Sequence, residues 1–231
     1  MKKIGKGNFA AVYLATRLRD GTKVAVKAFS KEHIFSQEKG RESLINEIKL
    51  LRSFNHPNIL RLMSVYESLN SVYLVMEHLE GSQLFNVIES HHFTLKEIQD
   101  LMRGLLSAAA EFARKNVVHR DLKPENIMFR TNRINSEIVV LDFGLSTFCD
   151  EKDYIYTRCG TPGFVAPEIV NIKDLTTKCR PISDVFSLGV ILHILLLGKS
   201  PFKGKTFNEV LSENRQCSFT LQGPEYNALP A

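Results

Sequence analysis

Tryptophan is absent from the 231 residues, and there are only four cysteines, at 149, 159, 179 and 217. No two cysteines stand in Cys-x-x-Cys spacing, so neither a zinc site nor a dithiol redox motif is expected. Reduced thiols fit a cytoplasmic setting, with the nucleus as an alternative. Long apolar runs are also missing. The longest, Val185 to Leu197, contains His193 and is too short to span a bilayer. It predicts a buried helix and no membrane partner. The opening Met-Lys-Lys-Ile-Gly-Lys-Gly carries no apolar signal core. Nor is charge of one sign concentrated. The net charge of +5 comes from 30 Lys and Arg against 25 Asp and Glu, scattered along the chain without a basic block. A nucleic-acid partner is therefore not expected.

What remains is the composition of an ordinary globular chain, 44% hydrophobic and 24% charged, long enough to bury a core as one or two domains. Its chemistry gathers in two short stretches. His119-Arg120-Asp121-Leu122-Lys123-Pro124-Glu125-Asn126 holds a carboxylate, cations and an amide able to ligate a metal. Downstream, the apolar run Glu137 to Leu141 reads as a short strand that delivers Asp142-Phe143-Gly144 to the same place. Such a set suits phosphoryl transfer: one Asp positions a hydroxyl nucleophile, while Asn and the second Asp hold magnesium on a polyphosphate.

In this order and spacing, the two stretches resemble the eukaryotic protein kinase family, of the Ser/Thr type. The implied fold is α+β and bilobal. A small antiparallel sheet with one helix forms a first lobe over residues 1–79, and a mainly helical lobe follows over 80–231. The implied activity is transfer of the ATP γ-phosphate to Ser or Thr of protein substrates, with ATP and Mg2+ as cofactors. Asp121 is then the base, Lys123 neutralises the phosphoryl group, and Asn126 and Asp142 are the metal ligands. A non-catalytic pseudokinase or nucleotide-binding module is the alternative. Oligomeric state is not indicated.

Read in order, Ile4-Gly5-Lys6-Gly7 opens a glycine loop. A dinucleotide-binding loop would need a helix next. Here Ala11 to Thr16 reads as a strand instead, Asp20-Gly21 as a tight turn, and Lys23 to Lys27 as a second strand. The resemblance makes the loop a phosphate cover, with Ala10 in place of the family's third glycine, and makes Lys27 the phosphate anchor. Ser30 to Phe54 reads as one helix, with Leu44, Ile48 and Leu51 at helical steps. On it Glu47 is the expected partner of Lys27, with Glu42 the runner-up. Leu60–Met63 and Val72–Met76 read as strands, and Met76-Glu77-His78-Leu79 after them resembles the family's hinge between lobes. There the backbone of Glu77 and Leu79 would pair with adenine beside Met76, and Ile4, Val12, Ala25 and Met128 would enclose the purine.

In the second lobe a helix is expected over Leu84–Ser90 and another from Thr94 to about Lys115, with Thr94 and Glu97 as a capping box. Thr157 stands where the family places its activating phosphate, which would pair with Arg120 and imply an upstream kinase. Thr161 is expected to line the site beside Asp121, and Asp184 to hold the backbone of the catalytic loop. Phe207 to Arg215 reads as a further helix. The Gly-Thr-Pro-Gly-Phe-Val-Ala-Pro-Glu and Gly-Lys-Ser-Pro-Phe stretches are most similar to the calcium/calmodulin-dependent branch. Gln83 departs from the Glu of basophilic members, so a preference for Arg upstream of the phosphosite is not implied. The resemblance runs from about Ile4 to about Pro230, and both ends are expected to be incomplete. The Arg that would pair with Glu168 finds no candidate. An unpaired buried charge there would cost about 3–5 kcal/mol, which implies marginal stability.

Overall fold

Five strands pair antiparallel in the order β1-β2-β3-β5-β4: β1 (Lys2–Lys6), β2 (Ala10–Thr16), β3 (Lys23–Ser30), β4 (Leu62–Glu67) and β5 (Ser71–Glu77). The computed structural model describes residues 2–6, 10–174 and 177–229. Asp20-Gly21 makes the expected turn between β2 and β3. Gly21 takes φ 73°, a conformation that costs a side chain strain, and Arg17 N–H closes the turn onto Thr22 O at 2.8 Å. Period-two alternation then sorts β3. Val24 and Val26 are buried on one face, which leaves Ala25 and Lys27 on the other.

One expected helix is two. Ser30 is the last residue of β3, α1 covers only Lys31–Phe35, and α2 begins at Gly40 and runs to Ser53. The chain reverses so tightly between them that Lys39 adopts φ 59°, and a Cβ on Gly40 would sit 2.1 Å from Ile34 O. Periodicity over Leu44, Ile48 and Leu51 locates α2 but is silent about this corner. The strand expected over Leu60–Met63 is also displaced. Leu60 N–H bonds Val140 O at 3.0 Å and Val140 N–H bonds Asn58 O at 2.8 Å, so the apolar pair Ile59-Leu60 ties into the second half of the chain and β4 starts later.

That second half is mainly helical. Its elements are α3 (Leu84–Ile88), α4 (Leu95–Arg114), β6 (Val117–Val118), β7 (Ile127–Phe129), β8 (Ile138–Val140), β9 (Thr147–Phe148), α5 (Pro167–Val170), α6 (Ile182–Leu197), α7 (Phe207–Gln216) and α8 (Pro224–Asn227). The small strands pair as β6 with β9 and β7 with β8. One core cluster links the halves. It runs from Phe29, Leu44 and Leu50 through Leu105, Phe112 and Phe143 to Leu188 and Ile191. No helix among the described residues is long and apolar enough to cross a membrane.

At the head of α4 the capping box forms. Thr94 N–H meets Glu97 Oε2 at 2.7 Å, and Glu97 N–H meets Thr94 Oγ1 at 3.3 Å. The Thr94 amide, together with the Thr94 hydroxyl 2.8 Å from the same Oε2, holds the Glu97 carboxyl below its usual range. Thr94→Ala is expected to cost about 1 kcal/mol and to lower a thermal melt by about 2–4 °C; an unchanged melt would show that the cap contributes nothing. Glu168 brings a correction. It is exposed and accepts a hydrogen bond from Ser183 Oγ at 2.6 Å. The expected penalty for a buried unpaired charge does not arise, because water reaches this carboxylate.

Candidate active site

Lys27 reaches from β3 to α2, where its Nζ lies 2.7 Å from Glu47 Oε1. Glu42 is exposed on the first turn of α2, whereas Glu47 is 6% exposed. Asp142 Oδ1 stands 3.9 Å from the same ammonium. Burial lowers the Lys27 pKa, but the two carboxylates outweigh it and the net shift is upward. Lys27 therefore remains a cation throughout the neutral range.

The catalytic-loop stretch lies between β6 and β7. Asp121 Oδ1 accepts the Thr161 hydroxyl at 2.6 Å, and Lys123 Nζ donates to Thr161 Oγ1 at 2.7 Å. Asp121 Oδ2 is 3.0 Å from Lys123 Nζ and 3.0 Å from Asn126 Nδ2. Asn126 Nδ2 also donates to Asp121 O, and Leu141 N–H donates to Asn126 O at 2.8 Å, which places Asn126 beside the strand end that carries Asp142. Asp142 takes φ 55° and Arg120 φ 68°. For residues other than glycine this is uncommon backbone, of a kind that clusters at functional sites.

Buried groups hold this loop from below. Asp184, 2% exposed on α6, accepts the amides of His119 at 2.8 Å and Arg120 at 3.0 Å. Burial raises its pKa, against the pull of His119 and the two amides. His119 Nε2 meets Leu141 O at 2.9 Å. Phe143 is fully buried, with ring centroids 5.4 Å from Phe54, 5.8 Å from Phe112 and 5.0 Å from His119. Phe54 ends α2 and Phe112 lies on α4, so the Phe143 ring joins the two halves of the molecule.

A cavity of about 580 Å³ is lined by Lys27, Glu47, Asp121, Lys123 and Asp142, and extends to Leu44 and Tyr156. Outside this lining, Met76 and Leu79 are buried in one apolar cluster, with Met128 packed against it. Ala25 is the register partner of Met76, and Gly5 of Val12. Val12 and Ala25 are half-buried and Ile4 is 46% exposed. Glu77 N–H donates to Arg61 O at 3.1 Å, and the Glu77 carboxylate accepts from Arg130 Nη1 at 2.6 Å. Gly7 lies outside the described residues, and of Lys6 only the strand backbone is described. Thr157 is half-buried, one residue past Tyr156, whose carbonyl accepts from Arg120 Nη1 at 2.5 Å.

Sequence reasoning passed over Asn46 and Ser43. Asn46 Nδ2 donates to Ser146 O at 2.8 Å, and Ser43 Oγ reaches Gly144 O at 3.5 Å. They fasten α2 to the residues after Asp142. Asn46 directly precedes Glu47, but nothing local marks it, because its partner lies a hundred positions on. Gln83 Nε2 bonds Glu125 O at 3.0 Å. Glu125 Oε2 is the one buried side-chain oxygen or nitrogen without a partner among the described residues.

A β-rich lobe, a helical lobe and acidic and basic groups converging between them make up the bilobal kinase fold. Comparison with known proteins agrees. Residues 1–228 match the family described as "Protein kinase domain", and the chain belongs to that family. A probable myosin light chain kinase of Dictyostelium discoideum is 35% identical over 229 residues, covering 98% of this chain and 57% of the relative. A probable serine/threonine-protein kinase 2 of Plasmodium falciparum is 37% identical, covering 95% of this chain and 41% of the relative. A calcium/calmodulin-dependent protein kinase type 1 of Macrobrachium nipponense is 38% identical, covering 98% and 64%. The last of these bears out the likeness to the calcium/calmodulin-dependent branch. The chain thus spans about two fifths to two thirds of the length of these relatives.

Proposed function

We propose that this chain transfers the γ-phosphate of ATP to Ser and Thr hydroxyls of proteins, with Asp121 as the base. The observation that carries this is the Thr161 hydroxyl on Asp121, 2.6 Å from Oδ1 with Lys123 2.7 Å from the same hydroxyl oxygen. A substrate hydroxyl taking that position would give its proton toward the carboxylate while the ammonium faces the developing charge. The name of the Plasmodium falciparum relative, a probable serine/threonine-protein kinase, supports the same substrate class.

The cleft chemistry fits a magnesium nucleotide. Asn126 Oδ1 and Asp142 Oδ2 have no donor among the described residues, and a carboxylate with an amide oxygen is a hard oxygen set of the kind Mg2+ takes alongside phosphates. Asn126 and Asp142 would hold the ion, which neutralises phosphate charge when bound. Lys27, kept in place by Glu47, would anchor the nonreacting phosphates beneath Gly5, Lys6 and Gly7. Ile4, Val12, Ala25 and Met128 would enclose the purine next to Met76. Leu79 N–H has no hydrogen-bond partner among the described residues, which suits a purine edge at Glu77 and Leu79. The end of β5 at Glu77 supports a boundary between lobes 1–79 and 80–231. The four free thiols and the proposed use of ATP support an intracellular setting.

The test is incubation of the chain with Mg-ATP labelled at the γ-phosphate and a Ser/Thr peptide library. Label on serine and threonine is expected. Nucleotide binding without transfer would instead make the chain a non-catalytic binding module. Thr157 is the proposed activating phosphosite, supplied by an upstream kinase. Thr157→Ala is expected to lower activity by roughly tenfold, about the effect of one charge-assisted hydrogen bond. Full activity of this variant under activating conditions would remove Thr157 from that role.

A further inference from the structure

The stretch between Asp142 and Thr157 is ordered by contacts that involve no phosphate. Tyr154, 8% exposed, lies at their centre. Its hydroxyl donates to Cys149 O at 3.0 Å and accepts from Cys179 N–H at 3.1 Å. One phenol oxygen thus bridges the end of β9 to the loop ahead of α6. The ring packs in a cluster with Val118 of β6 and Val165, Ala166 and Ile169 at the start of α5. It also lies near two cations, with the Arg120 guanidinium carbon 5.3 Å and Lys178 Nζ 4.6 Å from the ring centroid. Burial pushes the phenol pKa up to about 12, so the donor proton is retained throughout the working pH range.

Each cation also takes backbone carbonyls of the same stretch. Arg120 donates to Leu145 O at 2.6 Å and Tyr156 O at 2.5 Å. Lys178 donates to Glu151 O and Lys152 O. Together, three side chains hold five carbonyls between residues 145 and 156. Carbonyl acceptors are present whether or not any side chain is modified, so the arrangement is available to the unphosphorylated chain. Arg120 adjoins Asp121, and the segment continues to Thr161 on the Asp121 carboxylate.

We propose that Tyr154 is a positioning residue that keeps this segment folded, and thereby Arg120, Asp121 and Thr161 in register, before any phosphate is added. The claim about catalysis rests on the kinase reading given above; the claim about the segment does not. The test uses the full chain freed of phosphate, as wild type, Tyr154→Phe and Tyr154→Leu. Phe keeps the ring between the cations and loses the bridge, whereas Leu loses both. Two readouts are taken: kcat and KM for ATP, and the rate of tryptic cleavage after Lys152 and Arg158, both exposed.

Tyr154→Phe is expected to be cut about tenfold faster and to lose about tenfold in kcat, with KM for ATP within about twofold, as when a contact made outside the nucleotide site is lost. Tyr154→Leu is expected to lose more. Phosphorylation at Thr157 should restore part of the Phe variant's kcat, a response that loss of general stability would not produce. Folded Phe and Leu variants that match wild type in tryptic rate and kcat would overturn the proposal. If the wild type transfers no phosphate, the kinase reading fails, and the tryptic rates alone decide whether Tyr154 orders the segment.

Discussion

Asp121→Asn is expected to lower the rate of phosphoryl transfer by about a thousandfold, within the range attributed to a positioned general base, and to leave nucleotide binding and the melt nearly unchanged. The amide has the shape of the carboxyl group. It can turn its oxygen toward Lys123 and Asn126, which donate to Oδ2, and its NH2 toward Thr161 Oγ1. The loop keeps its bonds, but the group that would take a proton is gone. Steady-state kinetics on a Ser/Thr peptide, with nucleotide displacement run in parallel, measures both halves of this expectation. A variant within tenfold of wild type would remove Asp121 from the role of base. Equal background label from both proteins would leave a nucleotide-binding module without turnover.

Asp184→Ala should have the largest effect on stability. The carboxylate is 2% exposed and takes two consecutive amides, His119 and Arg120. Its removal leaves both donors buried without partners, at about 1–3 kcal/mol each, so a loss of about 2–6 kcal/mol is expected. For a domain of this size that corresponds to a melt lower by roughly 5–20 °C. Because burial raises the Asp184 pKa, the ionised carboxyl is disfavoured in the fold relative to the unfolded chain. Its own titration therefore makes stability fall as pH rises above the ordinary carboxylate range. That fall should be missing from the pH dependence of the Ala variant. Activity should also drop, since the two amides belong to the residues directly ahead of Asp121. A melt within about 2 °C of wild type would show that water or other donors satisfy these amides.

The two stretches around Asp121 and Asp142 were legible because catalytic residue types occur there in a fixed order within short loops. The capping box was legible for a similar reason, since Thr94 and Glu97 are three residues apart and their bonds are local. The helix expected over Ser30–Phe54 was not. Its periodic positions belong to α2, while the corner at Lys39 and Gly40 is set by the approach of Ile34 O. Glu168 was misjudged because exposure is a property of the packed surface and not of the residue's neighbours in sequence.

The sequence alone determined which chemical groups the chain could bring to a site, together with the strands, helices and caps whose signals repeat over a few residues. Tertiary packing decided which groups meet. Glu47 rather than Glu42 faces Lys27 because α2 is rotated about its axis by the apolar residues it buries. Asn46 and Asp184 acquire their partners, and Tyr154 the second of its two, across separations of 25 to 100 residues. Contacts of that span depend on where whole elements dock, and docking is governed by the summed burial of many side chains.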